Sequence, residues 1–307
     1  MITHESSRAS SAIAVSAAQP SRVSSATRLC VAFLFALGAY PPLLAQHTRA
    51  TASTTSEPAQ PTEEVPYVQT PTHVVHRMLQ LADLKAGEKL WDLGSGDGRI
   101  VIAAAKRGAR ASGFEIDPRL VTESVESAKR AGVAARAKFF ERDIFTLDFS
   151  GVDVVSMYLL PEYNLKLRGQ LLAQLTPGAR IVSHEWDMGD WLPDETLSYW
   201  SPAKPHGTKK DHRVYLWVVP ARVSGRWEVR FDGNANAPAQ TIELTVNQQF
   251  QRTSARSNLG DVPWSELRGK QFKFAWRNGA DARILSGTLI NQTTLRGPGW
   301  RAIRRGD

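Results

Sequence analysis

A turn restricts the fold of this chain more than any other feature. Lys89 to Leu93 is a short apolar run, and Gly94-Ser95-Gly96-Asp97-Gly98 follows it without a break. From Ile100 to Lys106 apolar residues resume at helical spacing. Strand, Gly-rich turn and helix in direct succession open a parallel βαβ unit. The glycines let the backbone close on a bound group, and the next helix offers it unpaired N–H groups. The spacing Gly-x-Gly-x-Gly is one residue short of the dinucleotide fingerprint. Asp92 also puts an acid at the strand end, which suits a cationic amine better than a pyrophosphate.

The flanking periods extend this unit. Val74, Val75, Met78, Leu79 and Ala82 share one face of a helix expected over residues 73 to 84, and a second strand is expected from Ala111 to Glu115. Asp117 and Pro118 form a cap and first-turn pair for a helix from Arg119 to Ala131. Strands are expected at Ala137 to Glu141, Val152 to Met157 and Ala179 to His184, with a helix from Pro161 to Leu175 between the last two. This alternation implies a parallel sheet with helices on both faces. Thr196 to Trp200 and Arg213 to Val219 follow each other without a helical stretch, so an antiparallel hairpin should close one edge. Glu115 ends the second strand 21 residues after Gly94, where a carboxylate in such folds holds a ribose diol. Asp143 follows the third strand and can accept from an exocyclic amine.

The segments WDLGSGDGRI, GFEIDP and ERDIF, in this order and at these distances, resemble the class I S-adenosylmethionine-dependent methyltransferases over residues 71 to 220. The resemblance implies a Rossmann-like seven-strand methyltransferase sheet whose last hairpin reverses one strand. It also implies that Asp92, Gly94, Ser95 and Gly96 surround the methionine part of the cofactor, that Glu115 binds the ribose hydroxyls, and that Asp143 with Ile144 contacts the adenine. DLGSGDGRIV together with YLLPEYN further resembles the seven-strand protein-lysine methyltransferases, whose mitochondrial members act on membrane proteins of energy metabolism. The expected activity is therefore methyl transfer from S-adenosylmethionine, with a protein lysine favoured as acceptor. RNA or a small molecule is the alternative acceptor, and a non-catalytic pocket that only binds is the alternative class.

The loop after the fourth strand should face the reacting methyl group, because ligands in open parallel sheets bind at the carboxyl ends of the strands. Its residues depart from the Asn-Pro-Pro-Tyr pattern of many nucleobase amino methyltransferases, which argues against nucleic acid. Tyr158 can orient the acceptor, or it can be packing at a strand end. Glu162 can remove a proton or bind a cationic substrate, or it can merely favour a helix N-terminus. After the fifth strand, His184, Glu185 and Asp187 can form a polar substrate wall, with Trp186 and Trp191 as apolar faces. A single His among acids is poor evidence for a metal, and none is expected. His206 and His212 flank Lys209-Lys210 and read as solvated. Ser183 lacks a Gly-x-Ser-x-Gly setting, so a hydrolase is not expected.

From residue 221 to 307 period-two patterns dominate: Trp227, Val229 and Phe231; Ile242, Leu244 and Val246; Phe272, Phe274 and Trp276. Gly233-Asn234 and Asn278-Gly279 punctuate them, and Trp300 and Ile303 finish the region. A small antiparallel β domain, a sandwich or partly open barrel, is expected. Charge bears on what it does. The whole chain carries +8, but residues 61–220 hold 20 basic and 21 acidic side chains, whereas residues 221–307 hold 14 and seven. The β domain therefore carries +7, which marks it as a contact surface for an acidic partner or an anionic membrane, or simply as scattered solvated Arg.

Residues 1 to 45 read as a signal peptide. Arg8, Arg22 and Arg28 precede the apolar run Leu29 to Tyr40, and Leu44-Ala45-Gln46 offers a small residue at a cut site. Export is the expected destination, with an uncleaved anchor or an organellar transit peptide as alternatives. Cys30, the one cysteine, lies inside this segment. Residues 46 to 70, rich in Thr, Ser, Pro and Glu, read as a linker to the domain at 71–220.

Overall fold

The computed structural model describes residues 67–200, 211–233, 239–279 and 281–306, all within one compact unit, Glu63–Asp307. The segment read as a signal peptide lies outside the described residues, as do most of the linker, His206, Lys209, Lys210 and Asn234. Helices α1 (Thr72–Leu81), α2 (Arg99–Lys106), α3 (Pro118–Arg130) and α4 (Pro161–Gln174) alternate with strands β1 (Lys89–Leu93), β2 (Arg110–Glu115), β3 (Ala137–Glu141), β4 (Val154–Met157) and β5 (Arg180–His184). Local chemistry sets the bounds. The Asp117 carboxylate accepts from the Arg119 N–H at 2.8 Å, with Pro118 in the first turn of α3. Met157 is the last residue of β4, and Pro161 starts α4 where no N–H is needed.

Strands β6 (Glu195–Trp200) and β7 (Asp211–Val218) complete a seven-stranded sheet in the order β3-β2-β1-β4-β5-β7-β6. Strands β1 to β5 pair in parallel, and β7 runs antiparallel to both β5 and β6. The expected reversed hairpin is thus present. The strand order changes direction between β1 and β4, so the ends of these two strands, at Leu93 and Met157, open the crevice in which such sheets bind ligands. One face of the sheet is covered by α4 through Leu167 and Leu171, together with Phe149, Trp191 and Trp217. The other face is covered by Val74, Val75, Met78 and Leu79 of α1, Val101 and Ala104 of α2, and Ala128 of α3.

Strands β8 (Gly225–Phe231), β9 (Gln240–Gln249), β10 (Arg252–Ser257), β11 (Asp261–Arg268), β12 (Gln271–Asn278), β13 (Asp281–Asn291), β14 (Thr294–Gly297) and β15 (Trp300–Arg305) form a separate antiparallel sheet. Its order is β10-β9-β8-β15-β14-β13-β12-β11. The sheet curls until its two edges meet: Thr253 Oγ1 on β10 lies 2.8 Å from Ser265 Oγ on β11. That arrangement is a partly open barrel rather than a sandwich. The alternating aromatic and aliphatic residues named above are its core, while Ile303 faces out because Trp300 and Ala302 take the inward positions of β15.

The two sheets touch. Phe250 stacks on Trp191 with centroids 5.8 Å apart, Gln251 Nε2 donates to the Leu192 carbonyl, and Arg268 pairs with Glu195 at 2.5 Å. Trp191, read above as a substrate face, is instead fully buried between β7 and this contact, where its apolar area is removed from water. The described end of the linker is also part of the fold. Thr70 is buried, and its carbonyl accepts from Arg99 Nη1 at 2.8 Å.

Candidate active site

The Gly-rich loop is tied to β2 by its own backbone. The N–H groups of Gly94 and Ser95 donate to the Phe114 carbonyl at 2.9 and 3.0 Å, and Gly98 N–H donates to the Ser95 carbonyl at 2.9 Å. Gly96 has φ +52°, and a Cβ there would lie 2.6 Å from the Tyr67 ring, so a side chain is excluded by conformation and by space. The Gly96 N–H donates to Glu115 Oε2 at 2.9 Å, while Glu115 Oε1 accepts from Ile116 N–H at 2.9 Å and Asp117 N–H at 3.2 Å. A carboxylate has about four acceptor positions. The three backbone contacts leave one on Oε2, beside the loop, for a hydroxyl donor.

Asp92, at the end of β1, is buried, and its Oδ1 accepts from Ser156 Oγ at 2.8 Å. Burial pushes its carboxyl up to about 8; the Ser156 hydrogen bond opposes that rise, and the negative charges of Glu115 and Asp97 add to it. No cation stands beside this buried acid among the described residues. Ser95, expected with Asp92, Gly94 and Gly96 around the methionine part of the cofactor, lies in the loop with its side chain turned away from the loop's open side. Its Oγ lies where a Cβ on Gly113 would come within 2.6 Å, so the hydroxyl is turned toward β2, buried and without a hydrogen-bond partner among the described residues. Asp143 is exposed, and its Oδ1 caps the short 3₁₀ turn Ile144–Thr146 by accepting from Phe145 N–H at 2.9 Å. Ile144 points into the core with Leu147 and Phe149. Arg142 N–H donates to the Glu115 carbonyl at 2.8 Å, which sets Asp143 close to the end of β2.

Across the crevice, Tyr158 follows β4 and its ring lies 4.2 Å from that of His184. Burial, and next the charge of Glu185, raise the Tyr158 phenol above its ordinary value. Glu162 stands exposed on the first turn of α4, with no hydrogen bond or ion pair among the described residues. His184 is buried at the end of β5, and Glu185 follows it with φ +66°, its N–H donating to the Arg213 carbonyl at 2.8 Å. Asp187 serves a turn, accepting from Gly189 N–H at 2.9 Å, and Trp186 is largely exposed.

Sequence reasoning missed four residues here. His212 is not solvated: it is buried on β7, 3.0 Å from His184. Its phase with Val214 on an alternating strand was the available signal. Asn164 of α4 is buried, and its Nδ2 donates to Ser183 Oγ and to the carbonyls of Trp186 and Asp187 at 3.1–3.2 Å, which holds the loop after β5. Tyr67 covers Gly96, and Thr70 Oγ1 lies 3.4 Å from His184 Nδ1.

Comparison with known proteins matches the sequence of this chain to a family. The model of the ANTKMT methyltransferase domain matches residues 92–195. A protein-lysine N-methyltransferase of Saccharolobus islandicus is 39% identical over 157 residues, half of this chain and 94% of the relative. The adenine nucleotide translocase lysine N-methyltransferase of Mus musculus is 38% identical over 131 residues, 42% of this chain and 57% of the relative. The solved structure of an RNA methyltransferase from Salinibacter ruber, in complex with S-adenosyl-L-homocysteine, is 47% identical and covers 51% of this chain and 96% of its own, with a TM-score of 0.46. The residues present fit the cofactor of the family, since the buried Asp92 lacks a cation among the described residues and Glu115 keeps a free acceptor position next to the glycine loop. The chain belongs to the class I S-adenosylmethionine-dependent methyltransferases, close to the protein-lysine methyltransferases.

Proposed function

We propose that this enzyme methylates a lysine side chain of a protein. The observation that carries the reading is the likeness to a protein-lysine N-methyltransferase over nearly that relative's whole length. The loop after β4 supports it, because Tyr158-Leu159-Leu160-Pro161 departs from the nucleobase pattern. When bound, S-adenosylmethionine supplies a methyl group on a sulfonium, a good leaving group. Asp92 then holds positive charge at the end of β1, the loop from Gly94 to Gly96 lets the backbone lie against the cofactor, and Glu115 accepts from the ribose hydroxyls. Ser95 contributes backbone rather than its hydroxyl, Asp143 faces the adenine edge, and Ile144 backs it from the core. On the acceptor side, the exposed Glu162 draws the lysine ammonium to the crevice, its proton is lost to solvent, and Tyr158 orients the neutral amine. Holding the acceptor in line with the methyl carbon is the main contribution asked of the protein.

One assay separates lysine from RNA, the rival acceptor. Cell extract is incubated with the enzyme and methyl-labelled S-adenosylmethionine, and portions are digested with protease or ribonuclease. Label released by protease and recovered in methyl-lysine is the expected result. Label released by ribonuclease would replace the lysine reading with the RNA one.

A further inference from the structure

We propose that His184, Glu185 and His212 bind a divalent transition-metal ion of the zinc class. The donor atoms form a nearly equilateral triangle: His184 Nε2 to His212 Nδ1 is 3.0 Å, His212 Nδ1 to Glu185 Oε1 is 3.2 Å, and His184 Nε2 to Glu185 Oε1 is 3.3 Å. Tetrahedral coordination with bonds of about 2.0–2.1 Å separates neighbouring ligands by about 3.3 Å. The three atoms therefore already stand at the spacing of one face of such a site.

Protons alone satisfy this triangle poorly. Both contacts to the carboxylate ask for an N–H on each imidazole, while the nitrogen–nitrogen contact asks for one bare nitrogen. A cation removes the conflict, because it accepts a lone pair from all three atoms at once. The surroundings are built for the same orientation. Thr70 Oγ1 stands 3.4 Å from His184 Nδ1 and can hold that nitrogen's proton, which leaves Nε2 bare toward the cluster. Glu185 adopts φ +66°, a conformation that strains a non-glycine residue and is kept where surrounding structure demands it. Both imidazoles are almost fully buried, and the Glu185 side chain is 15% exposed. Two His and one Glu leave a coordination position open for water or another group. The ion ties the end of β5 to β7, beside Tyr158, and so braces the acceptor side of the crevice.

The test uses the untagged full chain, stripped with a chelator and titrated with Zn²⁺ by calorimetry and with Co²⁺ by visible absorption. One equivalent should bind, and the Co²⁺ form should show the intense visible bands of a tetrahedral site. His212→Ala should weaken Zn²⁺ binding ~100-fold or more, and Glu185→Gln, which keeps the volume, ~10-fold or more. Circular dichroism and a cooperative unfolding transition identify which variants have folded, and Glu185→Gln decides the question if His212→Ala has not. Failure of the wild type to take up either ion overturns the proposal. So does binding that the folded variants leave unchanged, which would place the ion on other histidines.

Discussion

Asp92 is the residue where folding and ligand binding ask for opposite things. Burial holds its carboxyl protonated up to about pH 8, against an ordinary value of 3.8. Between those values the folded state carries a proton that the unfolded state has released. Its stability without cofactor is therefore full below the unfolded value, falls as pH rises through this window, and levels off above about 8. Asp92→Asn should flatten that decline and exceed the wild type by a few kcal/mol above the window, as measured by urea denaturation across pH. A wild-type stability that does not fall over this range would contradict the assignment. Spacing alone marked Asp92, Gly94 and Glu115, because a strand end followed by glycines has few conformations. The turn of Ser95 toward Gly113 was not legible, since it depends on a neighbouring strand's lack of a side chain.

At the scale of elements, periods of two and 3.6 located most strands and helices of residues 71–220 to within a residue or two, because each must bury one face, whereas in the β domain they marked three strands and left β11, β13 and β14 unmarked. The 3₁₀ turn Ile144–Thr146 was invisible, as three residues carry no period. Strand β10 was equally faint: its burial alternates only between exposed and half-buried. The loop after β5 depends on contacts from a different element, and these cannot be read locally. Asn164, on α4, is the main one. Asn164→Ala should leave the Asp187 carbonyl without its donor and the Trp186 carbonyl with Ser183 Oγ alone, costing about 1–3 kcal/mol in denaturation, and should make the loop markedly more susceptible to protease. Unchanged stability and cleavage would show that the loop is held elsewhere.

Across the whole molecule, the β domain packs against the seven-stranded sheet through Trp191, Leu192 and Glu195. Trp191→Ala should cost about 3–5 kcal/mol in thermal or chemical unfolding, whereas Trp186→Ala, at an exposed position, should stay within about 0.5 kcal/mol. Similar losses at both positions would contradict the burial described. The basic excess of this domain was plain in composition, but its use was not. Arg230 and Arg305 both pair with Glu228, Arg304 lies over the Trp227 ring at 4.7 Å, and Arg283 lies over Phe231 and Trp276. Part of the charge thus works inside the sheet's own packing.

We propose that Asp92, the glycine loop and Glu115 form one cofactor seat. Calorimetric titration with S-adenosylmethionine at neutral pH, in two buffers of different ionisation enthalpy, tests it most directly. Binding to the wild type should release a proton, Asp92→Asn should lose that release, and Glu115→Ala should bind roughly 10-fold or more weakly. Wild-type binding without proton release, together with unchanged affinity in Glu115→Ala, would contradict it.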